Sequence, residues 1–341
     1  MVRRFSFLDE TPTVCSNPTM SRLYLVLVLV VLICPALAQL PTPKTLRASC
    51  VEILVNGQLG GTGWFATTNG TVLTAAHTIG KKTDTNRVFE IRQTDGSRHR
   101  VGVDAIDFGH DICRLVPDKP IRSMPLPFAK RLPKPGQVVH LFGAPMFRHE
   151  LLITGHMART RPAYEYSDGH YCRCVFVSGI GPQGTSGGPW FNRKGEVFGL
   201  QSAMVTNQGA PQGLCMVAPL DALQALLRAE GHAHSASLEA ALEETFEQGP
   251  DFQQANTYKP PALVLRHLVK DGAAEHAGLK DRELLVAMDG TAYETRDAFF
   301  TALRKLKPGT PVALTIRDAR GENPREVKLT LSRLEAHWAA K

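Results

Sequence analysis

The sequence predicts a pair of small β-barrels followed by a compact α+β module. Short apolar or alternating runs, separated by Gly, Pro, Asn and Asp, fill the chain from Cys50 to about Val217. Helical periodicity is nearly absent before Leu220, and beyond Pro260 strand-like runs alternate with helical ones.

The barrel strands are read at "CVEILV", "GWFAT", "TVLTA", "VFEIRQ", "VGVDAI", "DICRLV", "VVHLFG", "ELLITGHM", "YCRCVFV", "EVFGLQS" and "LCMVAP". The segment "PLDALQALLRAEG" then brings Leu220, Leu223 and Leu227 to one helical face, with Gly231 as its stop. Residues 39–231 form the first domain on this reading. Residues 232–259, rich in His, Ala, Ser, Glu and Gln, read as a linker with one short helix from Ser237 to Phe246. The module at 260–335 has strands at "ALVLRHLV", "LLVAMDG", "VALTIRD" and "EVKLTL", a short helical piece at "AAEHAGL" and an amphipathic helix from Arg296 to Leu306.

Ahead of the barrels, "MSRLYLVLVLVVLICPALAQ" places Arg22 before an apolar run from Leu23 to Ala38 that ends on Ala36-Leu37-Ala38. That order reads as a secretory signal peptide over 20–38, cleaved after Ala38. Pro35 interrupts the run and it is short for a bilayer span, so an uncleaved anchor is the second reading. Ile33 before Cys34 argues against a lipoprotein site, and residues 1–19 read as a mis-assigned start upstream of Met20.

The 341 residues are 43% hydrophobic and 21% charged, an ordinary globular balance with room for a sizeable core. The net charge of +7, or +6 after cleavage removes Arg3, Arg4, Arg22, Asp9 and Glu10, comes from scattered residues with no basic run longer than two. That pattern speaks against nucleic acid as a partner. Cleavage leaves Cys50, Cys113, Cys172, Cys174 and Cys215, an odd number, so at least one thiol is unpaired. In "HYCRC", His170, Cys172 and Cys174 project in parallel from one strand and cannot converge on a single ion, so no metal is expected. No other cofactor is indicated.

Three stretches carry chemistry. In "VLTAAHTIG" an apolar strand delivers His77 behind Thr74, Ala75 and Ala76, small residues that let other groups pack against an imidazole fit to act as general base. In "DFGHDICRL" Asp111 opens a strand, where a part-buried carboxylate needs a donor such as an imidazole N–H; Asp104 and Asp107 are nearby rivals. In "GPQGTSGGPW" Ser186 sits among glycines, which serves either a tight turn or a nucleophile whose N–H and that of Gly184 face one concavity, an oxyanion hole.

The order His77, Asp111, Ser186 on a two-barrel pattern resembles the chymotrypsin-fold serine peptidases. It is similar in particular to the HtrA (Deg) family, through "GTGWFATTNGTVLTAAHTI", "DFGHDICRL", "LFGAPMFRHELLITGHM", "GTSGGP", "GEVFGLQSAM" and "GLCMVAPLDAL", which span nearly all of residues 47–230. The resemblance implies a chymotrypsin-like double barrel, with His77 as base, Asp111 as its orienting acid, Ser186 as nucleophile, and the Gly184 and Ser186 N–H groups as oxyanion hole. It further implies a periplasmic endopeptidase acting on unfolded or misfolded proteins and peptides, and a homotrimer. Thr185 stands where zymogen-activated relatives carry Asp, so activation by cleavage is not expected. Only "NGQLGG" separates Val55 from Thr62, so the long regulatory loop of some members is missing.

Ile180, six positions before Ser186, stands where trypsin-like enzymes carry an acid. With Gln201 it is assigned to a specificity pocket for small or medium apolar P1 residues. The run "DGAAEHAGLKDRELLVAMDG" and the helix "RDAFFTALRKL" resemble a PDZ domain, but no Gly-Φ-Gly-Φ carboxylate loop precedes "ALVLRHLV", so peptide capture and pure scaffolding both stand. Rival functions on the same fold are a chaperone or peptide-binding protein with little proteolysis, and an esterase.

Overall fold

In the computed structural model, which describes residues 40–79, 86–167 and 170–334, the short runs pair into two closed antiparallel barrels. The signal-peptide reading falls on residues outside those described. Strands β1 (Cys50–Val55), β2 (Gln58–Phe65), β3 (Val72–Ala75), β4 (Phe89–Arg92), β5 (Arg98–Asp107) and β6 (Ile112–Pro117) close the first barrel in the order β1-β2-β3-β6-β5-β4. The second closes as β10-β11-β12-β9-β8-β7, from β7 (Val138–Gly143), β8 (Leu151–Ser167), β9 (His170–Ser178), β10 (Pro189–Phe191), β11 (Val197–Asn207) and β12 (Ala210–Pro219). Closure leaves no open sheet edge in either barrel.

Inward positions fill each barrel: Ile53, Phe65, Val72, Ile91 and Leu115 in the first, Val139, Met157, Val177, Phe198 and Val217 in the second. A separate apolar layer of Trp64, Leu73, Phe142, Phe191 and Leu200 joins the two. Two helices close over that layer. Helix α1 (Pro43–Ser49), not foreseen from the sequence, is capped by Thr42 Oγ1, which accepts the Thr45 N–H, and it buries Leu46. Helix α2 (Leu220–Arg228) buries Leu220, Ala222, Leu223 and Leu226.

The C-terminus of α2 is held by a buried arginine from the first barrel. Arg114 donates to the carbonyls of Leu226 at 2.6 Å, Leu227 at 3.0 Å and Ala229 at 2.9 Å, while its Nε meets Asp104. A guanidinium presents its donors in a fixed fork, which suits the unpaired carbonyls of a helix end and their negative dipole.

The linker reading of residues 232–259 is overturned. Ala236–Ser237 forms β13, which pairs with the last strand β20 (Ser332–Arg333), and Ala241–Glu244 forms β14 within the expected helix; Thr245–Glu247 makes one 3-10 turn. "SLEAALEE" has the composition of a helix, but Leu238, Ala241 and Leu242 are buried against the C-terminal sheet, and pairing with β15 (Leu263–Arg266) overrides local propensity. A short helix α3 (Pro250–Ala255) follows β14.

The sheet continues with β16 (Leu284–Met288), β18 (Pro311–Arg317) and β19 (Arg325–Thr330), in the order β14-β15-β16-β18-β19, with β17 (Thr291–Ala292) beside β16. Helices α4 (Ala273–His276) and α5 (Arg296–Leu303) belong to the same module, and Phe299, Phe300 and Leu303 of α5 are buried in its core. Tyr164 and Tyr171, from the hairpin of β8 and β9, join that core.

The five cysteines of the described residues are buried free thiols. Cys172 Sγ lies 3.3 Å from His170 Nε2, as side chains two apart on one strand can. Among the described residues no cluster of three or more His, Cys, Asp or Glu side chains is arranged to hold a metal ion, and no helix is long and apolar enough to cross a membrane.

Candidate active site

His77 occupies a single 3-10 turn, Ala76–Ile79, directly after β3. The buried Ala75 and Ala76 keep that turn against the start of β6, where the Ala76 N–H donates to the Asp111 carbonyl at 3.1 Å. Asp111 itself has φ 55, a left-handed conformation that Asp tolerates better than most side chains. The tight turn aims its carboxylate back at the histidine. Oδ1 accepts the backbone N–H of His77 at 2.9 Å and Oδ2 accepts its Nδ1–H at 2.8 Å, while the Ser202 hydroxyl donates to Oδ2 at 2.5 Å.

Burial of Asp111 pushes its pKa up, but the His77 charge and the hydrogen bonds from His77 and Ser202 outweigh it and hold the carboxyl below its ordinary value. An ionised Asp111 fixes the tautomer with the proton on Nδ1, which leaves Nε2 to accept one. The two rivals are engaged elsewhere: Asp104 pairs with Arg114, and Asp107 with His110 Nδ1 at 2.7 Å.

Ser186 comes from the loop between β9 and β10, which is tied to the first barrel. The Thr62 N–H donates to the Ser186 carbonyl at 2.8 Å, and the Thr62 hydroxyl donates to the Gly184 carbonyl at 2.7 Å. Gly187 must be glycine: with φ 86, a Cβ there would lie 2.1 Å from the Thr62 carbonyl oxygen. Ser186 Oγ lies 3.4 Å from the Ser202 carbonyl, on the residue whose hydroxyl holds Asp111.

The same loop aims two N–H groups. The Gln183 carbonyl accepts the Met146 N–H at 2.7 Å, and the Thr185 carbonyl accepts the Gly188 N–H at 2.8 Å. Each trans peptide then turns its own N–H, of Gly184 and of Ser186, to the opposite side. Among the described residues neither N–H meets a protein acceptor. The buried Thr185 is satisfied locally, its N–H and hydroxyl both donating to the Pro182 carbonyl, at 3.0 and 2.7 Å.

The assignment of Gln201 to a pocket wall needs correction. It is 1% exposed, and both ends of its amide are engaged: Oε1 accepts the Trp190 indole N–H and Nε2 donates to the Ala203 carbonyl, both at 2.8 Å. It packs against Gly181, where a Cβ would come within 2.8 Å of that amide. Ile180 is 60% exposed, and Met204 Sδ faces the Gly181 N–H at 3.3 Å. Three residues of the site went unassigned in the sequence: Ser202, Thr62 and Met146. All three fall within matched stretches, "GEVFGLQSAM", "GTGWF" and "LFGAPMFRHELLITGHM", but nothing in those strings marks which hydroxyl turns inward or which N–H meets the serine loop.

Residues 61–200 match the trypsin-like peptidase domain family. The chain is 25% identical over 299 residues to Serine protease HTRA1 of Xenopus tropicalis, covering 81% of this chain and 60% of that protein. It is also 25% identical over 279 residues to a probable periplasmic serine endoprotease, DegP-like, of Ectopseudomonas mendocina, covering 80% and 56%. The chain thus spans less than two thirds of the length of these relatives. Among solved structures, the HtrA-type protease AlgW with decapeptide superimposes with a TM-score of 0.59 at 13% identity, over 86% of this chain and 99% of that one. The serine endoprotease from Yersinia pestis does so with a TM-score of 0.55 at 18% identity, over 87% and 100%.

A histidine–carboxylate pair on the first barrel and a glycine-flanked serine on a loop of the second thus lie in a chain whose residues 61–200 match the trypsin-like peptidase domain. The chain is similar in sequence to DegP/HtrA serine proteases and shares the fold of HtrA-type structures.

Proposed function

We propose that the chain is an exported serine endopeptidase of HtrA type that cleaves unfolded or misfolded proteins through an acyl-enzyme. The observation that carries this reading is the double hydrogen bond from Asp111 to His77, together with a loop of the second barrel whose Gly184 and Ser186 N–H groups are turned free of protein acceptors. Ser186 Oγ attacks the scissile carbonyl carbon as its proton passes to His77 Nε2. The oxyanion is received by the two N–H groups, and the proton moves on to the departing amine. Water, deprotonated by the same nitrogen, then releases the acyl group.

The exposed Ile180, with Met204 beside Gly181, favours small or medium apolar P1 side chains over Arg or Lys. The neutral, locally satisfied Thr185 supports a site that needs no cleavage to mature. The names of the relatives and the signal-like N-terminal segment support a periplasmic location. The C-terminal module is PDZ-like.

Fluorophosphonate labelling of the wild type and Ser186→Ala, with casein digestion alongside, tests the reading. Labelling confined to the wild type together with digestion is expected. Labelling that persists in Ser186→Ala overturns the nucleophile assignment, labelling without digestion identifies an esterase, and neither activity identifies a chaperone.

A further inference from the structure

Strand β14 is an edge of the C-terminal sheet, the kind of edge to which a peptide main chain adds. Its outward groups can be assigned. Opposite Leu242 stands Leu265, whose N–H and C=O go to Glu283 and Arg282 at 2.8 Å each, so the N–H and C=O of Leu242 face away from β15. Both end on one side chain of the peptidase domain: the Leu242 N–H donates to the Tyr171 hydroxyl at 3.0 Å, and that hydroxyl donates to the Leu242 carbonyl.

The space between β14 and α5 is filled by the same hairpin. The Tyr171 ring lies 4.2 Å from the Phe300 ring and the Tyr164 ring 5.5 Å from it; both tyrosines are buried. Polar ties surround the contact. Asp297 accepts the Tyr164 N–H at 2.9 Å and pairs with Arg159, and Arg304 donates to the Tyr171 carbonyl at 2.6 Å. At the head of β14, where a peptide's terminal carboxylate would need donors, the chain buries an acid: the Glu239 carboxylate accepts the Ala273 N–H at 2.5 Å, and the Glu239 N–H is taken by Ser237 Oγ at 3.0 Å.

We propose that Tyr171 is a built-in ligand of strand β14, so that the C-terminal module braces the hairpin β8–β9 and does not capture peptide C-termini. The proposal rests on the PDZ-like reading of the module and is independent of the serine chemistry. A neutral hydroxyl that both donates and accepts reproduces the pair of bonds an added strand would make at that residue, without the extended main chain. Strand β9 runs from this contact to Ser178, close in sequence to Ile180, so the brace fixes one wall of the cleft.

The test uses the full chain carrying Ser186→Ala, to prevent self-cleavage, with labelled decapeptides ending in a free Val, Leu or Phe carboxylate. No saturable binding is expected up to about 1 mM, and hydrogen exchange at the Leu242 amide is expected to be slow. Adding Tyr171→Phe removes both bonds and is expected to speed that exchange by on the order of tenfold. Should that variant fail to fold, Asp297→Asn, which loosens the hairpin from α5, is expected to speed the same amide. Saturable peptide binding by the parent, or a folded variant with unchanged Leu242 exchange, overturns the proposal. A proteolytically inactive wild type leaves both readouts unaffected, so failure here and failure of the peptidase reading are separate results.

Discussion

Gly184→Ala puts the oxyanion assignment to a quantitative test. A Cβ at this position would lie 2.4 Å from the Ala144 carbonyl oxygen, and the backbone φ is 96, a conformation strained for any L side chain. Ordinary contact begins near 3.4 Å, so the peptide must retreat by about 1 Å or swing its N–H away. A displacement of that size costs about 100-fold, and full loss of one oxyanion donor about 100- to 1,000-fold, or roughly 2.7–4 kcal/mol. Because the donor acts on charge that exists only in the transition state, kcat carries the loss while KM stays within about threefold. Steady-state kinetics on a chromogenic peptide with an apolar P1 residue reads both, and circular dichroism confirms that the barrels persist. A folded Gly184→Ala enzyme retaining more than about a tenth of wild-type kcat would overturn the role of Gly184 as an oxyanion donor.

Other substitutions test the remaining contacts. Asp111→Asn should lower kcat by about 10⁴-fold, since an amide can leave His77 in the wrong tautomer. Asp111 is held below its ordinary pKa, so its contribution to stability is present above the unfolded value and is lost as pH falls through the folded one. The stability gap between wild type and Asp111→Asn in urea melts should therefore close below about pH 4. Thr185→Asp places a carboxylate at a fully buried position whose contacts are with the Pro182 carbonyl; a loss of about 3 kcal/mol is expected, read as a lower melting temperature. Arg114→Met removes the side-chain donor of three carbonyls at the end of α2, of which Leu226 keeps the Ala229 N–H, and a loss of about 3 kcal/mol is expected by denaturant titration.

The barrel strands were legible because half-buried strands alternate with period two and Gly, Pro, Asn and Asp mark their ends. Strand β8 was read only as far as Met157, because bulges around Arg159 break its register and Pro162 interrupts the pattern beyond. Strand β10 escaped because three residues opening on a proline carry no period. Strand β14 was misread because Leu, Ala and Glu favour a helix, and only the partner strand β15 decides otherwise. At the site, Asp111 was legible from its place at a strand start, since a carboxylate there needs a partner. Ser202 was not, because a serine in a strand says nothing of the carboxylate it meets across the seam. Gln201 was misplaced for a related reason: an offset along the chain does not tell which way a side chain faces.

The buried thiols bear on how the chain matures. Cys50, Cys113, Cys172, Cys174 and Cys215 are all unpaired, and burial pushes each thiol's pKa up, that of Cys215 to about 12. Thiolate is the species that attacks disulfides and oxidants, so in the folded chain these sulfurs are nearly inert. The barrels therefore need no oxidant or isomerase to reach their native form, and mixed disulfides can trap the chain only while it is still unfolded.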